Sequence, residues 1–207
     1  MGSRDQTAGN AQAAQRRGVL KGRGLIMTIR KAVLCDMEAI LEVYRYARRQ
    51  MRLNGNPDQW GENYPSPEMV ENDIMQGNSY VVEEAEEIVG VFAFIPGEDP
   101  TYRRIEDGAW LNEQPYGTIH RIAGSGKGKG IFRQCTGFCE ARTANVRIDT
   151  HERNLIMQHL LEENNYQRCG RIYVADGSPR IAYQKEVKEC NLCQPPDSPF
   201  AASSTPL

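Results

Sequence analysis

Four glycines, Gly124, Gly126, Gly128 and Gly130, alternate with Ser125, Lys127 and Lys129 inside the stretch TIHRIAGSGKGKGIFRQCTGFCE, residues 118–140. The residues before them read as a strand, with Thr118, His120 and Ile122 sharing one face by period-2 alternation. After them a helix is predicted to start near Ile131, with Cys135, Phe138 and Cys139 at helical spacing. Strand, glycine-rich loop and helix start bring bare backbone N–H groups together. Glycine permits close approach, the helix N-terminus contributes partial positive charge, and the lysines contribute full charges. The expected ligand therefore carries phosphates. A nucleoside-triphosphate loop needs G-x-x-x-x-G-K-[ST], whose hydroxyl holds magnesium; here every Gly-Lys pair is followed by Gly. The G-x-G-x-x-G spacing of a dinucleotide fingerprint is missing too. On the same strand His120 has a reference pKa near neutrality, which makes it the first candidate for a general base; the plain alternative is a structural histidine.

These residues need elements to position them, and the rest of the chain supplies a legible order. Thr28–Val33 is a short strand. Asp36 is expected to cap a helix with Met37, Ile40, Leu41, Tyr44, Ala47 and Met51 on its inner face. A connection containing Trp60 and Tyr64 leads to Ser66-Pro67, a helix start with proline in the first turn. Ser79–Glu83 and Ile88–Ile95 read as a hairpin whose second member, nearly all apolar, is buried on both faces. A long polar connection from Pro96 to Pro115 returns to the glycine-loop strand. Asn145–Thr150 is a further strand, and Asn154–Asn164 a helix with Ile156, Met157, Leu160 and Leu161 inward. Asn164-Asn165 suits a left-handed end to that helix. Arg171–Val174 and Arg180–Tyr183 form a last hairpin around Asp176-Gly177. The predicted class is α/β, an α+β mixed sheet flanked by about four helices.

The 207 residues suit one domain with tails, and the formal net charge of −2 gives no sign of a nucleic-acid partner. No apolar run approaches the roughly 20 residues of a membrane span. Six cysteines are scattered along the chain. Cys190-x-x-Cys193 lacks a second pair at zinc spacing, so no metal site is read and thiols in a reducing cytoplasm are expected. Residues 1–26 are basic and acid-poor, read as a disordered or incidental extension with a targeting segment as the alternative. Residues 187–207, rich in proline and serine, are expected to be a disordered tail. The folded domain is placed at 27–186.

Ile122 followed by Lys127-Gly128-Lys129-Gly130-Ile131 resembles the acyl-coenzyme A signature of the GNAT N-acetyltransferase superfamily. In that signature an apolar residue ends a strand, and Arg/Gln-x-x-Gly-x-Gly/Ala opens a helix. One register puts Lys127 first, matches Gly130 and sets Phe132 at the small-residue position. A register shifted by two puts Ser125 first and satisfies Gly128 and Gly130, but misplaces Ile122. The order of elements, Asp36 before the first helix, Asn154 after the fifth strand and the ending LLEENNY add to the likeness, which covers about Met27 to Lys185. It implies a central sheet that is partly splayed, with acetyl-CoA as cofactor. The pantetheine arm would lie between the strands ending at Ala123 and starting at Asn145, along the backbone of Arg121, Ile122 and Ala123. The pyrophosphate would rest on the amides of Lys127, Gly128, Lys129, Gly130 and Ile131, with Asn154 nearby.

The chemistry implied is direct attack of a primary amine on the thioester. An amine of pKa near 10 is about one part in a thousand neutral at pH 7, a penalty of roughly 4–5 kcal/mol. A general base removes that proton, and backbone N–H groups hold the carbonyl oxygen. For the base, His120 ranks first and Glu113 second, with Asp149 and His151 behind them. The tyrosine acid that the family places seven residues after its asparagine is absent, since that count reaches Leu161. The thiolate then leaves unaided or another residue substitutes, and the same absence fits a catalytically silent acyl-CoA-binding module as the alternative function. Trp60 and Tyr64 are expected to wall the pocket of a small-molecule or amino-acid-like amine. A monomer or homodimer is expected, with no nucleic acid and no membrane as partner.

Overall fold

Apolar residues at 3.6-residue spacing and runs of β-branched residues divide the chain into alternating helices and strands, and the computed structural model, which describes residues 27–187, folds them in the predicted order. They are β1 (Met27–Lys31), α1 (Met37–Leu53), α2 (Pro67–Met75), β2 (Ser79–Glu84), β3 (Glu87–Pro96) and β4 (Gly117–Gly124). α3 (Ile131–Glu140), β5 (Asn145–Thr150), α4 (Leu155–Glu163), β6 (Gln167–Tyr173) and β7 (Pro179–Glu186) follow. One seven-stranded sheet has the order β1-β2-β3-β4-β5-β7-β6, antiparallel except where β4 meets β5. The basic extension, the proline-rich tail and the Cys190–Cys193 pair lie outside the described residues. Val187, expected to begin the tail, still donates its N–H to Ala144 O at 2.8 Å.

Helices α3 and α4 cover one face, where Phe92, Phe94, Ile119, Val146 and Ile148 meet Ile131, Phe132, Cys135 and Leu161. Helices α1 and α2 cover the other through Ile40, Val43, Tyr44, Val70 and Ile74, packed on Val81, Val91 and Ala123. Asn165 takes the left-handed conformation (φ 63°) expected after α4. Asp36 corrects its expected role. It precedes α1, yet its carboxylate makes no cap; it receives Arg30 at 2.7 and 3.0 Å and the Val33 N–H at 2.8 Å. Asp36 ends a 3-10 turn, Leu34–Asp36, with helical backbone, so its side chain turns back to Val33 and Arg30 rather than forward to the first amides of α1.

The pairing of β4 with β5 positions the site. Gly117 faces Val146, Thr118 faces Arg147, Ile119 faces Ile148, and the ladder stops there. β4 runs on to Gly124 held by β3 alone, while Asp149 and Thr150 stay with β7. A β-bulge accompanies the parting. Ala93 faces His120 and Val91 faces Ala123, so Arg121 and Ile122 together oppose Phe92. Arg121 sits at φ 54°, a region few non-glycine residues occupy. Its buried guanidinium is held there by Asp73 of α2, with Nε–Oδ2 and Nη2–Oδ1 both at 2.8 Å. The bulge also corrects the period-2 reading of this strand. Ile122 turns to the Ile119 face and packs there, while Ala123 joins the α1–α2 side.

At the other end of the same strand pair, polar groups close on one another. Gln184 Nε2 donates to Asn145 Oδ1 at 3.1 Å, and its Oε1 accepts from the Leu111 N–H at 3.0 Å. Arg147 is sandwiched between Trp110 and Tyr116, 4.0 and 3.8 Å from the ring centroids, and donates to Asn112 O at 3.0 Å.

Candidate active site

The glycine loop leaves its amides free. Ser125 N–H returns to Val89 O at 2.9 Å and Lys127 N–H reaches Ser125 Oγ at 3.3 Å. Among the described residues, the N–H groups of Gly126, Gly128, Lys129, Gly130 and Ile131 have no partner. Gly130, at φ 71°, turns the chain into α3, a conformation that costs other residues roughly 1–2 kcal/mol. Gly126 sits at φ +80°, which side chains rarely adopt, and a Cβ there would lie 2.2 Å from the hydroxyl end of the partly exposed Tyr46, which would have to move. Lys127 forms an exposed ion pair with Glu87 at 2.7 Å, and Lys129 stands exposed with no ion pair among the described residues. The loop offers amides and one uncommitted cation to an anion, and the cradle stays open because no side chain fills it.

Two cavities meet at the parted strands. The first, about 410 Å³, runs between α1 and α4 and is lined by Tyr46, Met51, Ile122, Ala123, Gly124 and Leu160 among others. The second, about 610 Å³, opens beside it and takes in Trp60, Tyr64, Asp99, His120, Asp149 and Arg180. Met51, Ile122, Asn154 and Met157 line both, so an extended ligand in the first reaches the second. Asn154 is committed at this junction. Its Oδ1 caps α4 by accepting from Met157 N–H at 3.1 Å, and its Nδ2 donates to Gln59 Oε1 at 2.8 Å. Trp60 is buried edge-on against Tyr44, and Tyr64, half-exposed, packs on Trp60.

His120 is oriented by a residue that sequence reasoning missed. Its Nε2 is 2.8 Å from Asp99 Oδ2, and Asp99 Oδ1 accepts from the Thr101 N–H at 2.8 Å and hydroxyl at 2.6 Å. Burial pushes the Asp99 carboxyl upward, but the contacts from His120 and Thr101 outweigh it and hold its pKa at about 2. An ionised Asp99 can only accept, so Nε2 carries a hydrogen. Tyr102 packs edge-on against the imidazole, centroids 5.8 Å apart. Asp99 opens a 3-10 turn, Pro100–Tyr102, in the long connection before β4. The Asp-Pro-Thr order signals such a turn, but its position 21 residues from His120 in sequence hides the pairing.

The remaining candidates separate. Glu113 is exposed, lies at the closed end of β4 and lines neither cavity, so the second-ranked base stands apart from the opening. Asp149 faces the larger cavity and accepts from the Tyr102 hydroxyl at 2.6 Å. Burial, with Asp149 beside it, pushes the Tyr102 hydroxyl well above the usual tyrosine range, so it remains a donor. His151 Nδ1 accepts from the Arg153 N–H at 3.1 Å. Leu161, where the family's tyrosine would fall, is fully buried in the α3–α4 core.

No family model and no curated protein sequence matches the chain. Among solved structures, a GNAT-family acetyltransferase from Streptococcus agalactiae is 33% identical over 80% of this chain and 99% of its own, with a TM-score of 0.71. The chain belongs to the GNAT acetyltransferase family. A GNAT-family acetyltransferase from Listeria monocytogenes shares the fold at 20% identity, over 81% of this chain and 98% of that one, TM-score 0.59. So does yncA of Salmonella typhimurium, solved with its cofactor acetyl-CoA, at 16% identity over 85% and 99% of the two chains, TM-score 0.51. Within the GNAT signature, α3 opening at Ile131 directly after Gly130 fits the register that begins at Lys127. Phe132, in place of the small residue, is buried and packs edge-on to Tyr166. Among the described residues no helix is long and apolar enough to cross a membrane, and no group of His, Cys, Asp and Glu could hold a metal ion.

Proposed function

We propose that this GNAT protein transfers an acetyl group from acetyl-CoA to the primary amine of a small-molecule or amino-acid-like acceptor by direct attack. The observation that carries the reading is the parting of β4 from β5 beyond Ile119 and Ile148, beside a loop in which five amides, Gly126 and Gly128 to Ile131, are unpartnered. Backbone groups left open in this way call for a partner. The free edge of Arg121–Ala123 suits an amide-bearing arm, and the amides from Lys127 to Ile131 suit a pyrophosphate. When bound, acetyl-CoA supplies a thioester carbonyl and a thiol leaving group of pKa about 8.5, which departs without an obligatory acid.

The protein's residues do the rest. Trp60 and Tyr64 wall the acceptor. His120, with Nε2 held by Asp99, presents Nδ1 as the base that takes the proton the attacking nitrogen loses. The fixed tautomer means that no ring flip is needed before each transfer.

Release of free thiol from acetyl-CoA across a panel of primary amines tests the reading. Saturable, amine-dependent release is expected, and His120→Gln should remove most of the rate. Binding of acetyl-CoA with no turnover for any amine would support a silent acyl-CoA-binding module instead.

A further inference from the structure

His120 and Asp149 occupy equivalent positions on the two banks of the opening. Ile119 and Ile148 form the last pair of the β4–β5 ladder, and both pack on the α3–α4 face. His120 and Asp149 are the next residues, so alternation turns both side chains to the opposite face, where both line the 610 Å³ cavity. Asp149 is held from behind. Its Oδ1 accepts from the Tyr102 hydroxyl at 2.6 Å, and Tyr102 is itself fixed by stacking on Trp110 at 5.5 Å with the rings 4° from parallel. Its Oδ2 has no hydrogen-bond donor among the described residues; Arg180 Nε stands 3.9 Å away, beyond hydrogen-bond reach. Arg180 spends its Nη1 on Ser178 Oγ at 3.0 Å and Pro179 O at 2.9 Å. The carboxylate side chain is 12% exposed and lines the cavity, so the open oxygen is available to a ligand there.

The charges of the wall agree. Arg121 is matched by Asp73 and Arg153 by Asp58. Asp99 is paired with His120, which leaves Asp149 and Asp176 facing the cavity against Arg180 alone. We infer that Asp149 Oδ2 docks the acceptor's nitrogen as an ammonium, which makes the substrate class of this site a cationic primary amine. The inference rests on the acetyl-transfer reading and deepens it. The amine arrives charged, is held between Asp149 and His120, and loses its proton there rather than in bulk water.

The test compares wild type with Asp149→Asn, which keeps the Tyr102 contact possible while removing the charge. Two readouts are taken: kcat/KM for alkylamines, charged at pH 7, relative to arylamines, neutral at pH 7; and calorimetric binding of an n-alkylammonium to each protein. The alkylamine-to-arylamine ratio should fall about 10–100-fold, the size of one charge-assisted hydrogen bond, through KM more than kcat. Asp149→Glu should recover part of it. The KM for acetyl-CoA serves as the control for folding. An unchanged ratio with alkylammonium binding intact would overturn the assignment while leaving acetyl transfer standing. Alkylammonium binding that Asp149→Asn abolishes, in a wild type that turns over no amine, would uphold the docking role and remove acetyl transfer.

Discussion

The two ends of the β4–β5 pair are built from similar material and treat it in opposite ways. At the closed end, Asn112, Asn145 and Gln184 bond one another and the surrounding backbone, Arg147 is clamped between two aromatic rings and gives Nη2 to Asn112 O although its Nε goes unpartnered, and the fully buried Gln184 leaves nothing for a ligand. At the open end the shared ladder stops at Ile119, the bulge at Arg121 and Ile122 follows, and in the loop beyond it the N–H groups of Gly126 and of Gly128 to Ile131 are free. Polar groups buried against each other hold a fold together, whereas polar groups left pointing into a gap are available for binding. Substitutions at the open end should therefore change rate and affinity with little loss of stability, and substitutions at the closed end should do the reverse.

The largest effect is expected at His120. His120→Gln should lower kcat by about 10²–10⁴-fold with the acetyl-CoA KM little changed, read from thiol-release kinetics at saturating amine. An unchanged rate across pH would take His120 out of the mechanism. Removing one partner of the buried pair that holds the bulge should cost most in stability. Arg121→Leu leaves Asp73 buried and unpaired, a loss of about 3–5 kcal/mol in urea unfolding, and it is the one open-end substitution expected to damage both properties.

Gln184→Leu sharpens the contrast from the closed end. It orphans the Leu111 N–H and should cost about 1–3 kcal/mol while kcat and both KM values stay at wild-type levels. Gly126→Ala should raise the acetyl-CoA KM about tenfold, through the left-handed backbone and the collision with Tyr46, and the Gly126→Ala/Tyr46→Ala pair should recover part of that loss. The smallest effect is one of pH. Asp99 has a pKa lowered to about 2 in the fold, so its contribution to stability is complete above about pH 4 and is lost as pH falls towards 2. Asp99→Asn should flatten that part of the stability–pH curve.

The element order, the loop and the start of α3 were legible because each is written in local periodicity or in glycine spacing. His120 was legible as chemistry, from residue type and strand position. Asp99 was not, because an aspartate in a polar connection looks like a turn former until the fold carries it to the imidazole. The bulge was hidden for another reason. Arg121 adopts a conformation usually marked by glycine, and what holds it, Asp73, lies on a helix 48 residues earlier. Glu113 was misjudged because nearness to β4 in sequence does not tell which end of the strand a residue occupies. Asp36 has the position of a cap and the chemistry of one, yet a neighbouring arginine takes its carboxylate.

Titration of coenzyme A into the protein, followed residue by residue in nitrogen–proton correlation spectra, tests most directly whether the open end holds the cofactor. Saturable shifts concentrated from Arg121 through Ile131 are expected, with Gly117–Ile119 and Gln184 unmoved. Saturable binding that leaves the loop amides unshifted, or no binding at all, would contradict the site.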